Sequence, residues 1–340
     1  MQFRILGPVE IQDERTGLRI LPTGAKQRAL LGALVVKSGQ VVSVHRLIDE
    51  LWGEHPPANA TNALQAHVAR LRRLLPVPEP GSGEPHHEWI VTRSLGYVLR
   101  LGRDATDTTD AARFNELATR GRAAAADDPQ HAAELLRSAL ALWRGPALEG
   151  SVRGDICAAE AAQLEENRLT ALETLYDACL RAARHDEIIG ELEELTTDHP
   201  MRERFYDLLM VALYRCGRQA EALSVYDRAR KRLVHELGVE PGPALRGRMD
   251  AILQHDPGLA APGAAERVAS VHLMPLPART GVTGPTLPGV TGGDAGPDAT
   301  VLSLSGEITR LRHRIERLSR EQEELMRRFD RLTAHPAAGQ

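Results

Sequence analysis

The chain has 340 residues, a formal net charge of −4 at neutral pH and three cysteines. That length accommodates two domains with extensions. No apolar run is long enough to span a bilayer, and the opening MQFRILGPVEIQ lacks the shape of a signal peptide, so a cytoplasmic (nucleoid-associated) protein with no membrane partner is expected. Cys157, Cys179 and Cys216 are odd in number, widely spaced and set in helical patterns, which predicts small buried core residues and excludes a disulfide set or a cysteine metal cage. Charge is unevenly placed: residues 1–105 carry 13 Lys and Arg against 10 Asp and Glu, whereas residues 106–254 carry 19 against 26. A mildly basic front followed by an acidic middle fits a nucleic-acid-binding part joined to a protein-binding part.

Residues 1–21 alternate in a strand-like way, with Gly7-Pro8 and Thr16-Gly17 as turns, and predict a short antiparallel sheet. A helix follows over Ala25–Lys37, with Ala29, Leu30, Ala33 and Leu34 on its inner side and Ser38-Gly39 at its end. Val41 and Val42 read as extended. Ser43 then caps a short helix that turns Leu47, Ile48, Leu51 and Trp52 inward and stops at Gly53. In Pro56–Leu75 the apolar residues Ala60, Leu64, Val68, Leu71 and Leu75 share one helix face, with Asn59 as N-cap. The opposite face presents Asn62, Ala66, Ala69 and Arg73, flanked by Gln65, Arg70 and Arg72, and no acid occurs between His55 and Pro78. Amides and guanidiniums match base edges and phosphates, while small residues permit close approach to a groove. After a Pro/Gly-rich loop over 76–85, Trp89–Arg93 and Gly96–Leu101 predict a hairpin with a tight turn at Ser94–Gly96.

Strands, three helices and a terminal hairpin are the order of a winged helix-turn-helix. Its third helix enters the major groove, and its wing, here Thr92, Arg93 and Tyr97, approaches the backbone or minor groove. A small α+β module that uses the hairpin only for packing is the alternative.

From Asp107 to Leu253 the pattern is almost wholly helical, with amphipathic stretches near 110–126, 129–143, 155–183, 186–198, 201–215, 219–236 and 243–254. Gly217, Ala229 and Pro241 fall at tetratricopeptide-like spacing, a plain helical bundle being the other reading. Residues 255–300 are Pro/Gly-rich and read as a disordered linker; their glycines lack the Gly-Lys-Ser/Thr of a phosphate cradle. Beyond it, Val301, Leu304, Ile308, Leu311, Ile315, Leu318, Gln322, Leu325, Phe329 and Leu332 alternate three and four apart. That is a coiled-coil seam over 301–333, with Gln322 as its polar a position, and it predicts a homo-oligomer; folding back onto the helical region is the alternative. The expected layout is mainly α with a small α+β part: 1–103 winged helix-turn-helix, 107–254 helical domain, 255–300 linker and 301–333 coiled coil. Histidines are scattered, with no nucleophile–base or metal-ligand spacing, so neither an enzyme, a cofactor nor a metal is expected.

Two long segments carry a family resemblance. LPTGAKQRALLGALVVKSGQVVSVHRLIDELWGEHPPANATNALQAHVARLRRLL resembles the OmpR-type winged helix of the SARP family of actinobacterial antibiotic regulators. ALALWRGPAL, ENRLTALE and HPMRERFYDLLMVALYRCGRQAEALSVYDRARKRLVHELGVEPGPAL resemble that family's bacterial transcriptional activation domain. The resemblance covers about residues 1–254 and implies an activator of a natural-product biosynthetic cluster that binds direct repeats in double-stranded DNA near the promoter and recruits RNA polymerase holoenzyme. It further implies recognition-helix contacts from Asn62, Gln65, Arg70, Arg72 and Arg73, backbone contacts near Lys26, Arg28, Ser43 and Trp52, and a wing of Thr92, Arg93, Gly96 and Tyr97. Two departures stand out. His67 and Ala69 replace an aromatic and a serine that relatives often carry, and His67, about 60° off the core direction, is expected to flank the helix rather than read bases. The coiled-coil tail is the other. No phosphate loop or receiver domain is found, so neither ATP-driven nor phosphoryl-driven control is expected. A helical-repeat scaffold whose first module binds protein is the competing function.

Overall fold

The computed structural model describes residues 1–13, 17–75, 89–101, 109–151 and 154–260. The linker over 261–300 and the coiled-coil seam from Ile308 to Leu332 lie outside the described residues.

The N-terminal sheet is antiparallel, in the order β1 (Gln2–Arg4), β2 (Glu10–Gln12), β3 (Arg19–Ile20), with Phe3 opposite Ile11 and Ile11 opposite Ile20. Helix α1 (Ala25–Val36) follows, then β4 (Val42–Ser43), α2 (Val44–Trp52) and α3 (Ala60–Leu74). Strands β5 (Ile90–Arg93) and β6 (Gly96–Leu99) form the expected hairpin, and β6 also pairs with β4, placing Tyr97 opposite Val42. Ser43 caps α2 as its sequence position predicts, its hydroxyl accepting from the Arg46 amide at 3.3 Å. Asn59 occupies the N-cap position of α3, but its side chain makes no capping bond. Helix α1 is buried on more than the predicted face: Gln27, Leu31, Gly32 and Val35 are inside as well. A Cβ on Gly32 would meet Leu148 Cδ2 at 3.0 Å and Cys157 Sγ at 3.4 Å, so the helical half covers the side of α1 that a lone winged helix would leave to water.

That half comprises α4 (Asp110–Ala124), α5 (Pro129–Leu140), α6 (Asp155–Arg181), α7 (Ile189–Asp198), α8 (Glu203–Arg215), α9 (Gln219–Leu237) and α10 (Pro243–Leu253). Thr109 and Asp128 cap α4 and α5 through their side chains, and Gly238, left-handed at φ 69°, closes α9. Cys157 and Cys179 are buried as expected, whereas Cys216, at the end of α8, is only half-buried. The fold also runs past the predicted domain end, because the turn Pro257–Leu259 buries Leu259 and its carbonyl accepts from Arg215 Nε at 2.9 Å.

The two halves share one continuous apolar core and fall in one compact unit. Three buried carboxylates, Asp110, Glu10 and Glu50, join them. Asp110, in the first turn of α4, accepts from the backbone amides of Ile5 at 2.8 Å and Leu6 at 3.1 Å. Burial raises its pKa; those amides and the Arg144 guanidinium oppose the rise. Arg144 bridges Asp110 at 3.4 Å and the buried Glu10 at 3.1 Å, and Arg4 and Arg19 also hold Glu10. Glu50 of α2 faces the other way and accepts from the amides of Ile156 at 2.8 Å and Cys157 at 3.0 Å, in the first turn of α6.

Candidate nucleic-acid interface

Helix α3 buries Leu64, Val68 and Leu71 and leaves Asn62, Gln65, Ala66, Ala69, Arg70 and Arg73 exposed. The exposed set is the polar, acid-free face that the helical wheel predicts. Leu64 and Leu71 are fully buried, so the helix is anchored along its length and its outer face has a fixed orientation.

The wing stands at the end of this helix. Arg72 donates from Nε and Nη2 to the Ile90 carbonyl oxygen, at 2.9 and 2.7 Å, and from Nη2 to Thr92 Oγ1 at 2.9 Å. Its guanidinium therefore braces β5 against α3. Arg93 is exposed beyond Thr92. Gly96 and Tyr97 lie on the inner side of the wing. Gly96 is buried where a Cβ would overlap the Val42 carbonyl oxygen, and Tyr97 is 7% exposed within the core. Both build the hairpin that carries Arg93 and give little surface to a ligand.

The remaining expected contacts divide similarly. Lys26 Nζ sits 4.9 Å from the centre of the Trp52 ring, and the other neighbour of that indole is His67, at 6.0 Å between ring centres. His67 is a helix-flank residue, as the wheel indicates. Its Nδ1 is buried without a hydrogen-bond partner, and burial, then the Arg70 and Lys26 charges, lower its pKa. Arg28 donates to the Pro22 carbonyl at 3.3 Å, and its guanidinium faces Gly150 of the helical half. Ser43 is engaged by its cap. Sequence reading passed over Arg46, which is exposed in the first turn of α2. Two residues before it, the Val44 amide donates to the Leu95 carbonyl of the wing turn at 3.1 Å. Its position just after the N-cap Ser43 was the available signal.

The exposed polar set on α3, the first turn of α2 and the wing is thus Asn62, Gln65, Arg70, Arg73, Arg46 and Arg93. Guanidiniums and amides on one fixed helix face, next to a hairpin with its own arginine, can hydrogen-bond base edges and neutralise phosphates. Among the described residues no group of His, Cys, Asp and Glu is placed to hold a metal ion, and no helix is long and apolar enough to cross a membrane.

This architecture, a winged helix-turn-helix packed, among the described residues, against a bundle of seven helices, is that of a transcriptional regulator. Residues 19–99 match the family model "Transcriptional regulatory protein, C terminal", and residues 109–253 match "Bacterial transcriptional activator domain". The chain is 44% identical to transcriptional regulator RedD of Streptomyces coelicolor over 78% of its own length and 74% of that protein. It is 39% identical to regulatory protein DnrI of Streptomyces peucetius over 76% of its length and 94% of DnrI. With regulatory protein AfsR of Streptomyces coelicolor it shares 43% identity over 82% of its length, and that match spans only 27% of AfsR. Among solved structures, Mycobacterium tuberculosis EmbR in complex with a low-affinity phosphopeptide superposes with a TM-score of 0.68 and 33% identity, over 80% of this chain and 70% of that one. The chain belongs to the SARP family of antibiotic regulatory proteins.

Proposed function

We propose that the protein is a pathway-specific activator of a natural-product biosynthetic gene cluster that binds direct repeats in double-stranded DNA near the promoter and recruits RNA polymerase holoenzyme. The observation that supports DNA binding is the exposed, acid-free face of α3 with Asn62, Gln65, Arg70 and Arg73. Base-edge bonds from this face specify sequence at roughly 1–3 kcal/mol per good bidentate contact, and phosphate contacts make affinity salt-dependent. The helical half supplies the protein-binding surface. The Gly217, Ala229 and Pro241 spacing supports a tetratricopeptide-like pair there: Gly217 turns between α8 and α9 at φ 75°, and Ala229 is buried.

The heptad spacing from Ile308 to Leu332 supports self-association through the tail. A self-associating tail would serve head-to-tail half-sites through effective concentration.

A gel shift on the promoter regions flanking the protein's own gene tests the reading, with wild type beside Arg70→Ala/Arg73→Ala. The expected result is a specific shift that weakens steeply with salt and is lost in the double variant. No specific shift by wild type at moderate salt would favour a protein-binding scaffold. Truncation before Val301 then tests the tail: the oligomer and the tight shift should be lost together.

A further inference from the structure

We propose that Glu50 is a positioning residue for DNA binding, holding the helix-turn-helix in place by capping the first turn of α6 in the activation half. The inference rests on the DNA-binding reading above. Glu50 is 2% exposed, and both carboxylate oxygens are engaged by the Ile156 and Cys157 amides. Helix α6 has Gly154 at its own N-cap position and no side-chain cap from its own segment. Its free first-turn amides and positive end therefore meet a carboxylate from α2, more than a hundred residues earlier in the chain. Gly154 is suited to this contact, since a Cβ there would lie 2.6 Å from Glu50 Cα and Oε2.

The other sides of α2 reach the DNA-facing elements. Its first residue, Val44, bonds the wing turn through the Leu95 carbonyl. Its last residue, Trp52, carries the Lys26 and His67 contacts that flank α3. One short helix thus meets α6, the wing and α3 at once. A shift at the Glu50 end is transmitted to the spacing between Arg93 and the α3 face, although Glu50 itself lies away from that face. By reciprocity, a partner that moves the start of α6 changes DNA affinity.

The test uses the full chain with Glu50→Ala and Glu50→Gln, and a duplex of the promoter region that wild type shifts. Glutamine keeps the length and one carbonyl acceptor, so it should rescue in part. Two readouts are needed. Without DNA, hydrogen exchange at Ile156, Cys157 and α2 should accelerate in Glu50→Ala while α8 and α9 stay protected, with Tm lower by about 5–10 °C. With DNA, Glu50→Ala should bind about tenfold more weakly with an unchanged salt slope, because phosphate contacts are unaltered, and Glu50→Gln should fall between. Faster exchange with DNA affinity equal to wild type would make Glu50 a purely structural cap and overturn the proposal. Unchanged exchange at Ile156 and Cys157 would overturn the cap itself. If the wild-type chain binds no promoter duplex, the DNA-binding reading fails and this one falls with it, an outcome visible before any variant is compared.

Discussion

The Arg72 guanidinium donates twice to the Ile90 carbonyl oxygen and once to the Thr92 hydroxyl, tying α3 to the wing. Charge-assisted bonds of this kind in a half-buried setting are worth about 1–2 kcal/mol together. Arg72→Ala should lower the unfolding free energy measured in urea by that amount, and the midpoint with it, and weaken DNA binding evenly across sequences. Arg72→Lys should recover little, because an ammonium cannot fork onto both acceptors. A salt slope reduced by about one with an unchanged midpoint would instead make Arg72 a phosphate contact.

Gly96 supports a second prediction at the same wing. Its backbone pairs with Ser43 on one side and Arg93 on the other, and a Cβ would overlap the Val42 carbonyl. Backbone cannot swing aside as a side chain can, so Gly96→Ala should cost about 2–3 kcal/mol and open the β4–β6 pairing. Unfolding in urea measures the loss. Amide protection at Val42 and Tyr97 should fall with it.

The order of elements was legible because each has a local signal: turn residues in the sheet, Ser43 at a cap, and a repeating apolar face in α3 and the later helices. The exposed half of the recognition face was legible for the same reason, since Asn62, Gln65, Arg70 and Arg73 follow from 100° per residue once Leu64 is placed inside. What escaped the sequence depends on the junction. Gln27 and Gly32 are buried because the helical half lies against α1, and nothing near residue 30 announces a partner beginning at residue 109. Glu50 and Asp110 carry no sequence signal of burial, because their partners are backbone amides more than a hundred residues away, and amides leave no trace in a residue pattern. The packing of Arg72 and Tyr97 was illegible for a related reason. Residue type marks them as suited to DNA, and only the packed hairpin shows that they are already engaged.

His67 gives a pH prediction with a definite sign. Its folded-state pKa lies below the ordinary 6.5, through burial and the nearby Arg70 and Lys26 charges. The unfolded chain therefore binds the proton more tightly. The stabilising contribution is fully present above pH 6.5 and is lost as pH falls below it. His67→Tyr keeps an aromatic ring against Trp52 and removes the titration. Urea midpoints at about pH 7.5 and 5.5 should differ less in His67→Tyr than in wild type. An equal difference would show that the proton is taken up elsewhere.

The cysteines provide a direct probe of the junction between the halves. Cys157 is fully buried, its Sγ lies 3.8 Å from the Ala29 carbonyl oxygen of α1, and burial with the Glu50 charge pushes its pKa far up. Cys179 is also fully buried, and burial raises its pKa as well. Cys216 is half-buried at the end of α8, its pKa raised mainly by burial and further by Asp186. Thiolate is the reacting form, so a thiol reagent at mildly alkaline pH should label Cys216 slowly in the native protein and leave the other two silent. Cys216→Ser should abolish native labelling, with Cys157 and Cys179 appearing only on unfolding. In that background, labelling of Cys157 requires α1 and α6 to part. Wild-type labelling of Cys157 at a rate well above global unfolding would show that the two halves open independently, and it would contradict the joint packing of the halves on which the placement of α2 depends.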